Sequence, residues 1–248
     1  MRESNRRRTE KVWQALLIAM VLLAVAASIA GFGSAIPQGA EISSATTENA
    51  TVRAADSQVA AGGSFTTLVL NATTQTSKWK AYVGNVTGQI TLDNSLGQTI
   101  YNWALSQVQG EVYVSRNDSV DFTTMACADD ANITDEQLAL NINGTSADSI
   151  NNTFYQKIHK SFVIGGTGLI SNSSCYSIAT YLNDVSQAPS ESADFQEILL
   201  SDGANLVYTT LIENHLPGFD ATNYDFQMIV PDDPTSASTT YYFYAELG

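Results

Sequence analysis

Residues 12–40 contain no charged side chain, and directly before them stands a basic head of Arg2, Arg6, Arg7, Arg8 and Lys11. This constrains the chain more than any other feature. Residues 12–30 read V-W-Q-A-L-L-I-A-M-V-L-L-A-V-A-A-S-I-A, and a helix rising about 1.5 Å per residue over that run can cross a hydrocarbon core about 30 Å thick. A core helix of a soluble protein keeps a polar face, which this run lacks. Basic residues ahead of the run, and no basic cluster after it, orient the head in the cytoplasm and residues from Ile36 onward outside. A secretory apolar region spans about 7–15 residues, so the length here favours a retained signal anchor. Gly33-Ser34-Ala35, however, offers the small-x-small pattern of a signal-peptidase site, so cleavage and retention both stay open. A pilin-like stalk also fits the length, but Thr9-Glu10-Lys11-Val12 supplies no Gly or Ala at the expected cut.

The texture then changes twice. Residues 36–64 are rich in Ala, Ser, Thr and Gly with scattered acids and no aromatic residue, which predicts a tether. From residue 65 onward short alternating runs are separated by turn residues, the pattern of an all-β module. The expected organisation is a head (1–11), a transmembrane signal anchor or signal peptide (12–35), the tether (36–64) and an extracellular β-rich, β-sandwich-like module (65–248).

Within the module, strands are expected at residues 79–83, 89–92 and 111–114. Residues 198–200 and 206–212, joined through Ser201-Asp202-Gly203, read as a hairpin, because Asp-Gly supplies the positive φ angles of a tight turn. Tyr224, Phe226, Met228 and Val230 alternate with Asp225 and Gln227, and Tyr241, Phe243, Ala245 and Leu247 repeat the pattern, which predicts two strands with one wet face each. The closing strand is expected to pair within its own sheet. A short helical insert is expected between the cysteines, one helix capped by Thr134 and a second over residues 146–155.

The whole chain carries a formal charge of −14, and without its head it holds six basic against twenty-three acidic side chains. Such a surface repels nucleic acid, so no nucleic-acid partner is expected, and the membrane is met through the N-terminal helix alone. The two cysteines, Cys127 and Cys175, lie in a chain read as exported, where an isolated pair most simply forms one disulfide. They lack the C-x-x-C spacing of a metal site, and no cofactor and no metal is expected.

N-x-[ST] sequons occur at Asn49, Asn71, Asn85, Asn117, Asn132, Asn143, Asn151 and Asn172. With seventeen asparagines, about three or four would arise by chance, so the enrichment makes these eight the candidate glycosylation sites.

The segment W-K-A-Y-V-G-N-V-T-G-Q-I-T-L at residues 79–92, T-I-Y-N-W at 99–103, G-E-V-Y at 110–113 and the ending Y-Y-F-Y-A-E-L-G resemble a group of poorly characterised archaeal secreted or cell-surface β-rich proteins. The resemblance covers residues 79–248. It implies an archaeal envelope setting, without an activity.

No catalytic constellation is present in the sequence. A G-x-S-x-G elbow is absent, and His159 and His215 read as packed or surface residues. Gly165-Gly166-Thr167-Gly168 lacks the lysine of a phosphate loop and reads as a β-turn. Asp129, Asp130, Asn132, Asp135 and Glu136, and separately Asp232 and Asp233, read as solvated acidic loops, with Ca²⁺ as the competing use. The expectation is a non-enzymatic cell-surface glycoprotein, an envelope or filament component with self-association or other envelope proteins as partners. The alternatives are a carbohydrate-binding adhesin stacking sugars on Trp79, Trp103, Tyr242 or Tyr244, and a secreted hydrolase using two carboxylates.

Overall fold

In the computed structural model the described residues are 36–105, 107–235 and 238–248. The head and the apolar run, residues 1–35, lie outside them, and among the described residues no helix is long and apolar enough to cross a membrane. In chain order the elements are β1 (Gln38–Gly39), β2 (Trp79–Gly84), β3 (Gln89–Asp93), β4 (Thr99–Ala104), β5 (Gly110–Ser115) and β6 (Ala126–Cys127). Two short helices follow, α1 (Asp130–Ala139) and α2 (Ile150–Thr153). The remainder is β7 (Phe162–Ile164), β8 (Gly168–Ile170), β9 (Ser177–Ala179), β10 (Gln196–Ser201), β11 (Leu206–Leu211), β12 (Leu216–Pro217), β13 (Asn223–Tyr224), β14 (Phe226–Pro231) and β15 (Tyr242–Leu247). The described residues are mostly β-sheet with two short helices.

The central sheet is antiparallel with strand order β1-β15-β5-β11-β10-β6, and β9 also pairs β10. Every residue of β10 and β11 is buried. The physical reason lies in their sequence: Ile198-Leu199-Leu200 and Leu206-Val207 are unbroken apolar runs, which fit a strand covered on both faces rather than one. One face carries Val112, Val114, Leu199 and Tyr208 into a core closed by Ile133 and Leu140 of the helical region and by Met228 and Val230 of β14. The other carries Tyr113, Ile198, Leu200 and Val207 into a second core with Phe122, Met125, Phe162 and Ile164.

This double covering corrects the expectation of one wet face per strand. Gln227 and Asp225 on β14 and its approach are buried, as is Glu246 on β15. Each finds partners instead of water. The outward backbone groups of β14 are met by side chains: Thr210 Oγ1 donates to Gln227 O at 3.0 Å, Ile229 N donates to Glu197 Oε2 at 2.9 Å, and Tyr241 OH donates to Pro231 O at 2.7 Å. A buried strand edge is thus closed without a further strand.

Local signals explain the smaller elements. Helix α1 starts at Asp129 rather than at Thr134, because Asp129 accepts from Asn132 N while Asn132 Oδ1 accepts from Asp129 N, a reciprocal capping box. Thr134 instead bonds back to Asp130 O. The second helix is a single turn, Ile150–Thr153, whose first amide is held by Gln137 Oε1 from α1. The β10–β11 hairpin turns through residues 202–205, with Gly203 at φ +91° and the Asp202 carboxylate accepting from Ala204 N and Asn205 N. As expected, β15 pairs within its own sheet, along the whole of β5 and with β1. The tether's first residues therefore belong to the sheet as β1, and after them the first long strand is β2 at Trp79, where Trp79 Nε1 donates to Asp148 O.

Cys127 and Cys175 form a disulfide with Cα atoms 4.9 Å apart, closing a separation of 48 residues. Cys175 is fully buried in the second core. Replacing both cysteines by serine is expected to lower the unfolding free energy by about 4 kcal/mol, the chain-entropy value for a loop of this length. Urea unfolding followed by circular dichroism checks this, and an unchanged midpoint would contradict it.

Candidate functional site

The structure joins the two cysteines and disperses the eight sequon asparagines over the surface. Asn49, Asn71, Asn85, Asn117, Asn143, Asn151 and Asn172 are exposed and Asn132 is half-buried on α1. Two sit in Asx-turns, with Asn117 Oδ1 accepting from Ser119 N and Asn143 Oδ1 accepting from Thr145 N and Oγ1. In both, and at the Asn132 cap, the amide oxygen does the holding, while Asn117 Nδ2 donates to Asn205 Oδ1 at 2.9 Å.

The acids of the two expected loop clusters have separate duties. Asp129 caps α1, Asp130 accepts from Tyr176 OH at 2.7 Å, and Glu136 pairs Arg116 through two contacts of 2.8 and 2.7 Å. Asp232 faces Lys80 at 3.3 Å and accepts from Thr239 N. Among the described residues no three or more His, Cys, Asp or Glu converge on a point that suits a metal ion.

A set of groups that the sequence did not flag lies inside the central sheet. Glu111 on β5 and Glu246 on β15 are direct cross-strand partners, so their side chains share one face, and both are buried. Glu246 accepts from Gly165 N through both oxygens, each at 3.0 Å, and from Tyr113 OH at 3.1 Å. Gly165 follows β7 in the β7–β8 turn, so the Gly165-Gly166-Thr167-Gly168 run is the expected turn, used here to place a backbone donor over a carboxylate. Burial, reinforced by the Glu246 charge and partly offset by Lys160 and Tyr113, pushes the Glu111 carboxyl up to about 8. On the opposite face Glu197 is completely buried, its Oε1 finds no partner among the described residues, and burial drives its carboxyl well above the ordinary range. No signal of period or spacing marks these acids; only their register against apolar neighbours on a two-sided sheet does.

His159 is buried as well, with Nδ1 against Lys160 O at 2.8 Å and Nε2 accepting from Ser174 N and Cys175 N at 3.1 and 3.0 Å. That pattern requires the neutral ring, and burial lowers its pKa accordingly. It organises the chain beside the disulfide. His215 is exposed, 3.8 Å from Asp225.

The four aromatic candidates separate in the same way. Trp79 packs on Phe154 and Tyr244 on Phe122, so both serve the cores, whereas Trp103 stands exposed on β4 edge-to-face with Tyr101, and Tyr242 is exposed. Tyr242 borders an open cavity of about 280 Å³ whose polar wall is Arg116, Asn117, Asp118, Glu136 and Asn205. A second cavity, about 450 Å³, lies between α1 and α2 against Ile133, Gln137 and Asn151. Neither reaches Glu111 or Glu246.

Comparison with protein-family models, with curated proteins and with solved structures finds no match to this chain.

Glu111 makes stability depend on pH. Its proton is held more tightly in the folded chain than at the ordinary value of 4.5, so its stabilising contribution is complete below about pH 4.5 and is lost as pH rises to about 8. The slope in that window is at most about 1.4 kcal/mol per pH unit, and Glu197 adds to it in the same direction. Glu111→Gln is expected to flatten the profile and to raise the urea midpoint at pH 9. An unchanged slope between pH 5 and 8 in the variant would contradict this assignment.

Proposed function

We propose that this chain is a non-enzymatic archaeal cell-surface glycoprotein: an acidic, β-sandwich-like module held outside the membrane by its N-terminal helix, serving as an envelope or filament component. The observation that carries the reading is that eight sequons, about twice the number expected by chance, all stand at the surface, seven exposed and one half-buried, around two closed cores. The disulfide fits an oxidising compartment, and the deficit of basic residues outside the head suits a coat that stays soluble.

The two alternatives have less behind them. A glycosidase flanks an open sugar site with its carboxylates, whereas Glu111 and Glu246 lie under the β7–β8 turn. An adhesin has the exposed Trp103–Tyr101 pair in its favour, but the polar cavity beside Tyr242 has sequon Asn117 in its wall, where a glycan would cover it.

The reading is tested on protein isolated from the producing cell. Glycopeptide mass spectrometry is expected to find modification on Asn85, Asn117, Asn143 or Asn172, and protease added to intact cells is expected to release fragments of the module. An unmodified mass together with full protection from protease would overturn the reading. Binding of the purified protein to a glycan array, abolished by Trp103→Ala, would instead favour the adhesin.

A further inference from the structure

Between β1 and β2, residues 41–75 form neither strand nor helix, and all are exposed. Within them residues 65–70, F-T-T-L-V-L, combine aromatic and β-branched side chains without charge or proline, the composition of a segment that pairs as a strand. Phe65 is 94 % exposed and Val69 96 %. A monomer gains nothing from leaving such a run in water.

The second feature is the hairpin β3–β4. Its strands pair only with each other among the described strands, and every residue of β4 is exposed, with Ile100 at 80 % and Trp103 at 47 %. A two-stranded hairpin is marginal on its own, and its outer edges present backbone donors and acceptors without a strand partner. Its base is anchored: a side chain at Gly88 would collide with Leu247 of β15, so the hairpin is rooted on the module while its far end stands clear.

Charge and sequons single out the same two stretches. Outside the head the chain is strongly acidic, so two copies repel wherever their acids face each other. Residues 57–77 contain no charged side chain, however, and residues 81–110 contain only Asp93. No sequon falls within residues 52–70 or 86–116, although Asn71 and Asn85 stand at their borders. The exposed strand-forming run and the open hairpin are therefore where a second copy can approach without charge repulsion and with sequons only at the borders of the contact. A cationic or anionic partner has no charge to recognise there. Both halves of a strand-addition contact, donor and edge, are carried by one chain.

We propose that residues 65–70 of one copy add as a strand to the β4 edge of a second copy. The contact is heterologous, since donor and edge are different surfaces, so its repetition builds an open head-to-tail polymer. This deepens the structural-component reading and rests on it, naming the second copy as partner and the junction by which it joins.

The test uses the full-length chain in mild detergent, examined by sedimentation and negative-stain microscopy over a concentration series. Wild type is expected to form polymers. Val69→Pro removes a backbone donor from a segment outside every strand, and Ile100→Asp places a charge on the exposed face of β4; each variant is expected to keep the wild-type circular dichroism and to remain monomeric. Mixed together they are expected to form a 1:1 pair and no longer species, because each retains the half that the other lacks. Polymers that persist in either variant, or variants that stay separate when mixed, would overturn this junction while leaving the structural reading in place. A wild type that is monomeric throughout would overturn both.

Discussion

A sheet covered on both faces cannot leave its polar side chains to water, and the rest of this molecule is arranged around that requirement. The central strands carry Glu111, Gln196, Glu197, Thr209, Thr210 and Glu246 into the interior. Most of them recruit backbone from elsewhere. Gln196 receives Lys160 N on its oxygen, and its amide donates to the carbonyls of Ser190, Glu191 and Ala193, so one side chain fixes the approach to β10. Gln227 does the same at the other end, taking Phe219 N and giving to Tyr181 O and Thr180 Oγ1. Loops with little apolar content are thereby tied to the core by hydrogen bonds to buried donors and acceptors, each of which would be expensive to leave unmade.

The same requirement explains what the sequence made legible. The hairpin around Asp202-Gly203, the pairing of the last strand inside its own sheet and the disulfide follow from local chemistry: turn residues, alternation and an isolated cysteine pair. The two-sided burial was not legible, because Asp225, Gln227 and Glu246 alternate with apolar residues as they would on a half-wet strand, and a period of two cannot tell a wet neighbour from a buried, hydrogen-bonded one. The start of α1 was missed for a related reason. Its box uses Asn132 where Glu or Gln is the usual signal, and Asp129 stands among acids that read as a solvated loop. Phe195, at φ +48° and buried directly before β10, carries no sequence mark either; bulky residues rarely enter the left-handed region, and surrounding packing holds it there. Of the buried acid pair nothing was visible, since residues 111 and 246 meet only through the register of β5 with β15.

The two-sided core also divides the molecule into parts with different work. Apolar side chains on β10 and β11 are consumed internally, and the acidic surface keeps the module in solution. What is left over is concentrated in the stretch before β2 and in the β3–β4 hairpin, where exposed apolar residues and absence of charge coincide. In a protein of this charge the sparing of those stretches is a pattern, and it is the one on which the proposed junction between copies rests.

The disulfide has a bearing on durability that its stabilisation of the fold does not capture. One edge of β10 is served by two short strands, β6 at Leu200 and Ser201 and β9 at Gln196 to Ile198, and these flank an excursion containing both helices and the β7–β8 hairpin. Cys127 lies in β6 and Cys175 two residues before β9, so the bond sutures the two half-edges into one continuous border. A single cut anywhere in the excursion leaves both ends of the break attached to the sheet, and the chain remains one covalent body. A protease cut at an exposed residue there, such as Asn143, Thr145 or Tyr155, sheds no fragment, whereas a cut in the exposed stretch 41–75 lies outside the bonded loop.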